Sequence, residues 1–213
     1  MGVGKMDIHD LKKILPFYIF ILVVALTPIK VHSQASLDTV IHLGNGDAEK
    51  GLDHVVSLAN GGNGTASLLL AMIMAEVDEI DKALKYLKIS SNQGNRDAMK
   101  ALADFELGGE NYPVAIQWLK QSATLGNVNA CMRLAIMSRD GTGTPQNNET
   151  AYFWFNVAGK LKKTSKAGDI EPEEFASEIS QHLSPEQINK LNQDADEWIM
   201  QNPDTPPVSI PPL

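Results

Sequence analysis

The chain has 213 residues and carries 26 Asp and Glu against 18 Lys and Arg, which gives a formal net charge of −8 at pH 7. A protein that binds nucleic acid needs a basic footprint for the phosphates, so this balance argues against DNA or RNA as a partner. The chain contains one cysteine, Cys131, which excludes an internal disulfide and leaves packing to hold the fold together.

Residues 1–35 are predicted to be a targeting segment, because Lys12 and Lys13 directly precede an apolar run over 14–26. This run is shorter than the roughly 17–25 residues of a membrane-spanning helix and suits the apolar part of a signal peptide. We therefore expect cleavage by residue 35 and export to the periplasm or beyond. In the alternative, an uncleaved anchor over 11–29 holds the protein in the inner membrane, with the repeats outside the cytoplasm.

The rest of the chain is organised around a Gly-Asn pair that returns twice at the same spacing. A Leu-Ala pair follows each copy at the same offset. The copies are Gly62-Asn63 with Leu70-Ala71, Gly94-Asn95 with Leu102-Ala103, and Gly126-Asn127 with Leu134-Ala135. Self-similarity at a period of about 20–50 residues indicates a repeat array.

Each Gly-Asn pair is predicted to end one helix and to begin the next. Gly reaches the left-handed backbone conformation that closes a helix at little cost. The Asn side chain can cap the following helix by accepting hydrogen bonds from its free N–H groups. Each copy therefore predicts a helix, a tight turn and a helix, and such hairpins bury their apolar faces by stacking on one another.

The predicted elements follow in chain order. The turn at Asp140–Asn148 is longer than its predecessors, so the step from Ala115 to Ala151 exceeds the step from Ala83 to Ala115. In the helix predicted over 96–107, we expect Phe105 to face the core together with Ala98 and Leu102. A lead-in over 36–46 precedes the repeats, which span 47–78, 79–110, 111–146 and, in part, 147–168. Helices are predicted near 48–60, 65–76, 81–92, 96–107 and 149–160, and a further helix begins at Tyr112.

Residues 169–201 are predicted to form capping helices, because a stack of repeats needs an end that covers its last core face. Pro172 can start one of them. Ser184 and Gln187 form a capping-box pattern that begins the other. Residues 202–213 contain five prolines and are expected to form an extended tail.

The third copy and its loop carry the most specific pattern, with Ala115 and Trp118-Leu119, then Leu134-Ala135, then Gly141-Thr142-Gly143 before Asn148. This pattern resembles the Sel1-like repeat, a relative of the tetratricopeptide repeat, over roughly half of the chain. The resemblance implies an all-α fold: a right-handed α-solenoid of stacked helix-turn-helix repeats with a C-terminal capping helix. It also implies a scaffold or adaptor that binds a protein or peptide partner on its concave helical face.

No catalytic, cofactor-binding or metal-binding pattern stands out in the sequence. Gly141–Thr144 lacks the Lys of a phosphate-binding loop, and no Ser-x-x-Lys motif is present. His42, His54 and His182 have no neighbours at metal-ligand spacing, and Cys131 is expected to be a buried, inert thiol. We therefore predict a protein without enzymatic activity, cofactor or metal.

Five lysines on the first helices of the repeats are the candidate partner-binding residues. Lys82, Lys85 and Lys88 share one side of their helix, and Lys50 and Lys120 occupy comparable positions in neighbouring copies. A basic stripe on an acidic protein favours an acidic peptide or protein surface, and a merely solvated helix face is the alternative. The sequence predicts an exported interaction scaffold. A cell-wall-directed ligand binder or enzyme and a membrane-tethered regulator are the alternatives.

Overall fold

The computed structural model describes residues 48–162 and 171–202. The predictions for the targeting segment, the lead-in and the Pro-rich tail therefore lie outside the described residues, as do His42 and the side chain of Lys50. Within the described residues every regular element is an α-helix: α1 Ala48–Asn60, α2 Gly64–Glu76, α3 Ile80–Asn92, α4 Arg96–Gly108, α5 Tyr112–Thr124, α6 Val128–Asp140, α7 Asn148–Lys162, α8 Pro172–Ser180 and α9 Pro185–Gln201.

The predicted all-α repeat class is confirmed, and the predicted helices match the observed ones closely. The chain divides into two compact units, one that ends at Gly94 and one that begins at Asn95. In the part of the chain that the structure describes, no helix is long and apolar enough to cross a membrane.

The Gly-Asn turns have the predicted backbone. Gly62, Gly94 and Gly126 have φ angles of 91°, 80° and 75°, in the left-handed region that an L side chain adopts only at a cost. Each following Asn caps its helix, because its side-chain oxygen accepts from a first-turn backbone N–H. The pairs are Asn63 with Ala66 at 3.0 Å, Asn95 with Ala98 at 3.1 Å and Asn127 with Ala130 at 3.2 Å.

The most closely packed helix pairs are joined by the turns that alternate with the Gly-Asn turns along the chain. Helices α2 and α3, α4 and α5, and α6 and α7 form the tightest hairpins, whereas α1 and α2, or α5 and α6, pack less extensively on each other. The Gly62 and Gly126 turns thus join helices that pack on each other, as predicted, but less extensively than the pairs joined by the alternate turns. Two of the hairpin turns place a residue other than Gly at positive φ, Asp78 at 61° and Glu110 at 58°.

Each unit has its own apolar core. In the first unit, Leu70, Val55 and Met74 are almost fully buried. In the second unit, Phe155 and Leu119 are fully buried, among small residues that let the helices approach closely. These residues are Ala103, Ala115, Ala123, Ala130, Ala135, Ala151 and Ala158.

Phe105 is an exception to the predicted core of α4. Its side chain is 49% exposed, whereas Ala98, Met99 and Leu102 are buried. Successive residues of an α-helix are separated by about 100°, which places Phe105 roughly 90° from the centre of the buried stripe. The expectation that Phe105 faces the core was therefore wrong, because this residue lies at the edge of the apolar face.

Helices α8 and α9 both pack on α7. The Ser184 side chain accepts from the Gln187 backbone N–H, and the Gln187 side chain accepts from the Ser184 N–H, so the predicted capping box is present. The rings of Trp198 and Trp154 meet edge to face, with centroids 5.4 Å apart. Helix α9 thereby covers apolar surface on α7.

Candidate interaction surfaces

Three of the five candidate lysines lie on one helix, α3. Lys85 and Lys88 are exposed and lie one turn apart. Lys82 is half-buried, and its Nζ lies 3.4 Å from Glu79 Oε1. An ion pair at the protein surface contributes little to stability, so a carboxylate of a partner can replace Glu79 at little cost. We call Lys82, Lys85 and Lys88 the α3 basic stripe.

The other two candidates are not part of this stripe. Lys120 is exposed on α5, in the second compact unit. The side chain of Lys50 lies outside the described residues. The structure therefore brings together three of the five predicted residues on one surface.

Buried serines fix the helix pairs on which these lysines lie. The Ser90 hydroxyl of α3 donates to the Gly64 carbonyl at the start of α2, at 2.6 Å. The Ser122 hydroxyl of α5 donates to the Arg96 carbonyl at the start of α4, also at 2.6 Å. Each bond satisfies a buried hydroxyl, which would otherwise cost free energy, and holds the paired helices in one register. The only sequence signal for this role is that Ser90 and Ser122 are separated by one repeat period.

The turn between α5 and α6 is tied to the start of α4. The Arg96 guanidinium donates to the carbonyl oxygens of Leu125 and Gly126, at 2.9 and 3.0 Å. The Asn127 side-chain amide donates to Asp97 Oδ1 at 2.9 Å. Arg96 and Asp97 thus have a structural role within the second unit.

A groove lies between α7, α8 and α9, and sequence reasoning missed it. Its volume is about 470 Å³. On its α9 side, Asn192 Oδ1 accepts from the Tyr152 hydroxyl at 3.1 Å and from the Asn156 side-chain amide at 2.6 Å. Farther along α7, Lys160 Nζ lies 2.5 Å from Asp196 Oδ1. We call this the α7–α9 groove. It is lined by Tyr152, Phe155, Asn156, Gly159, Lys160, Glu173, Ala176, Ser177, Ser180 and Asn192.

A second groove of about 520 Å³ has residues of α4, α6 and α8 along its walls. Lys100 and Arg133 line it, and both pair with Asp104, at 2.5 and 3.4 Å. Glu174 and Phe175 line it from α8. Because charges of both signs line this groove, it has no clear preference for an acidic or a basic ligand.

Of the residues considered for chemistry, the structure describes Cys131, His54 and His182. Cys131 is fully buried, and this burial raises the pKa of its thiol well above the usual range, which keeps the sulfur protonated and unreactive. His182 is exposed. Within 48–162 and 171–202, no group of three or more His, Cys, Asp or Glu residues is arranged to hold a metal ion.

The Gly-rich loop between α6 and α7 is explained by packing. Gly143 has a φ of 68°, and a Cβ at this position would overlap the Tyr112 side chain of α5. Gly141, with a φ of 73°, ends α6. Both glycines are therefore required by the course of the loop.

These features define an all-α helical-repeat protein that offers helix faces and open grooves. The Sel1 repeat family model matches residues 74–95, 96–127 and 128–162. Residues 74–162 thus contain three Sel1 repeats, and the family resemblance seen in the sequence is confirmed. Sel1 repeats generally mediate protein–protein interactions, and proteins of this family are typically non-catalytic scaffolds. Each matched unit after the first pairs a helix that starts at a Gly-Asn turn with the helix that follows it, α4 with α5 and α6 with α7.

Solved structures of Sel1-like repeat proteins share this fold. A protective antigen of uropathogenic Escherichia coli that displays an SLR fold matches with a TM-score of 0.59 and 19% identity. The match covers 78% of this chain and 38% of the antigen. A Sel1 repeat protein from Oxalobacter formigenes matches with a TM-score of 0.51 and 18% identity, over 60% of this chain and 97% of that protein. No curated protein matches the chain in sequence.

Proposed function

We propose that this protein is an exported interaction scaffold that binds an acidic protein or peptide through the α3 basic stripe. The observation that carries the proposal is the exposure of Lys85 and Lys88 side by side on a helix of a Sel1-repeat protein. Two ammonium groups one helical turn apart repel each other, and an acidic partner removes this repulsion on binding.

The fixed geometry of α3 supports the proposal. The hydrogen bond from Ser90 to the Gly64 carbonyl and the buried Ala83 hold α3 against α2. Because the helix is already held in place, a partner does not need to order it on binding, which lowers the entropic cost of association.

The proposed site of action is outside the cytoplasm, with release after cleavage near residue 35. This part of the proposal rests on the order of charged and apolar residues within 1–35. N-terminal sequencing of the protein purified from its host tests it. A mature start near Gln34 or Ser36 supports release, a start at Met1 supports a membrane tether, and recovery of the chain from the cytoplasm without processing contradicts export.

Charge reversal on α3 tests the binding surface. Proteins captured from the host's exported fraction are quantified for the wild-type chain and for the Lys85→Glu, Lys88→Glu double variant. We expect the double variant to lose its partner at low salt, and the wild-type interaction to weaken as salt is raised.

Lys190→Glu is the matched control, because Lys190 is an exposed lysine on α9 and its reversal changes the net charge in the same sense. Circular dichroism of each variant checks that the helices are intact. Equal capture by the wild type and the double variant contradicts the assignment of the α3 basic stripe.

A further inference from the structure

The α7–α9 groove combines a cavity with polar groups that are already held in place. Asn192 Oδ1 accepts two hydrogen bonds, from the Tyr152 hydroxyl at 3.1 Å and from Asn156 Nδ2 at 2.6 Å. Both lone pairs of this oxygen are thereby used. The amide N–H groups of Asn192 and the carbonyl Oδ1 of Asn156 have no partner among the described residues. Both residues line the groove, so a donor on Asn192 and an acceptor on Asn156 remain for a ligand.

A donor next to an acceptor is the complement of a peptide group, which presents one C=O and one N–H. The volume of the groove, about 470 Å³, falls within the range of about 300–1,000 Å³ of clefts that bind small ligands. Half-buried Ala176 adds apolar surface to the lining. The groove is thus suited to a short stretch of extended polypeptide.

The opposite wall of the groove carries a negative charge. Glu173 of α8 lies against Gly159 of α7, where a Cβ would come within 3.2 Å of Glu173 Oε1. The absence of a side chain at Gly159 therefore leaves room for this carboxylate. Among the described residues, Lys160 is the only cation in the lining, and its Nζ pairs with Asp196 at 2.5 Å. Glu173 consequently sets the net charge of the groove.

The charge of the surrounding surface has the same sign. Residues 171–202, which form α8 and α9, hold eight Asp and Glu against one Lys, whereas α7 holds one Glu against two Lys, so the three helices together carry a net charge of −6. A field of this strength attracts a cationic segment and disfavours an acidic one. The α7–α9 groove therefore selects a ligand opposite in charge to the one proposed for the α3 basic stripe.

We propose that the α7–α9 groove binds an extended peptide segment bearing a basic side chain, with Asn156 and Asn192 pairing with its backbone and Glu173 with its cation. The site lies within the second compact unit and does not depend on the α3 basic stripe. The protein would then have two separate docking sites of opposite charge preference.

Binding of a defined peptide to the full chain tests the proposal. The probe is a fluorescein-labelled octapeptide of Gly, Ser and Ala with one central Lys, and the comparison probe has Glu in place of that Lys. Fluorescence anisotropy at low salt is expected to show saturable binding of the Lys peptide and at least fivefold weaker binding of the Glu peptide.

Three variants distinguish binding in the groove from attraction of the peptide by the negative charge of the surrounding surface. Glu173→Gln is expected to weaken binding of the Lys peptide by roughly threefold to fivefold, as for other exposed charge pairs. Asn192→Ala removes the backbone contacts and is expected to weaken it by about tenfold. Gly159→Ala places a methyl group against Glu173 without a change in charge. The affinity of this variant for the Lys peptide therefore tests the groove if Asn192→Ala does not fold.

Glu178→Gln is the control for charge, because Glu178 is exposed on α8 and does not line the groove. This variant should bind the Lys peptide within twofold of the wild type. Equal affinity for the two peptides overturns the proposal, as does absence of binding or an equal loss in Glu173→Gln and Glu178→Gln. Lys85→Glu with Lys88→Glu should leave peptide binding intact, so failure of the stripe and failure of the groove are distinguishable.

Discussion

Replacement of Gly94 by Ala isolates the cost of the left-handed turn on which the repeat register depends. Gly94 has a φ of 80°, and an added Cβ would meet no atom within 4 Å. Any loss of stability in Gly94→Ala therefore comes from the backbone and not from a clash. The left-handed conformation costs an L residue about 1–2 kcal/mol, offset in part because Ala lowers the entropy of the unfolded chain, so the net expected loss is about 1 kcal/mol.

Gly108→Ala is the matched control. Gly108 is the last residue of α4, has no positive φ, and an added Cβ there also meets nothing within 4 Å. Ala is favoured over Gly in a helix by up to about 1 kcal/mol, less at a terminus, so this variant should be slightly more stable than the wild type. The same chemical change is thus predicted to act in opposite directions at two open positions, one just before α4 and one at its last residue.

Urea unfolding followed by circular dichroism in the far ultraviolet measures both variants. The midpoint should fall for Gly94→Ala and rise slightly for Gly108→Ala, with unchanged slopes. Gly94→Asn should recover part of the loss, because Asn tolerates the left-handed conformation better than Ala. If Gly94→Ala is as stable as the wild type, the turn does not constrain the backbone as described.

Glu110→Gly should stabilise the protein by about 1 kcal/mol in urea unfolding, because Glu110 has a φ of 58° and Gly adopts this conformation without strain. Gly143→Ala should destabilise it by about 1–3 kcal/mol through overlap with Tyr112, and the loss should be smaller when Tyr112 is also changed to Ala. Burial raises the pKa of the Cys131 thiol. Titration of this thiol should therefore leave the free energy of unfolding unchanged below about pH 8.5, where the unfolded thiol begins to ionise, and should lower it at higher pH. The same burial predicts slow reaction of Cys131 with Ellman's reagent at mildly alkaline pH until urea unfolds the chain. Rapid labelling of the native protein would show that the thiol is accessible.

The helix boundaries could be predicted because the signals that set them are local. A Gly at C′, an Asn N-cap and the Ser184–Gln187 capping box act over a few residues, so a single sequence contains them. The constant spacing of the Gly-Asn pairs then set the register of the copies without any knowledge of tertiary contacts.

The features that sequence reasoning missed depend on long-range packing. Phe105 lies at the edge of an apolar stripe, where burial is decided by the neighbouring helices. The contact of Asn156 with Asn192 joins a repeat helix to α9, which is distant in sequence and follows a different pattern. Two of the three closest hairpins are closed at Asp78 and Glu110, which lack the Gly that usually marks a left-handed position.

Site-specific photo-crosslinking in the native host tests the central claim most directly. A photoreactive amino acid is placed at position 85 or 88 of the α3 basic stripe and, as a control, at position 190 on α9. The proposed scaffold function predicts that positions 85 and 88 crosslink to the same discrete protein, that position 190 does not, and that the adduct is lost when the remaining stripe lysines are changed to Glu. Absence of any adduct at 85 and 88, or identical adducts from all three positions, would contradict a specific partner-binding role for α3.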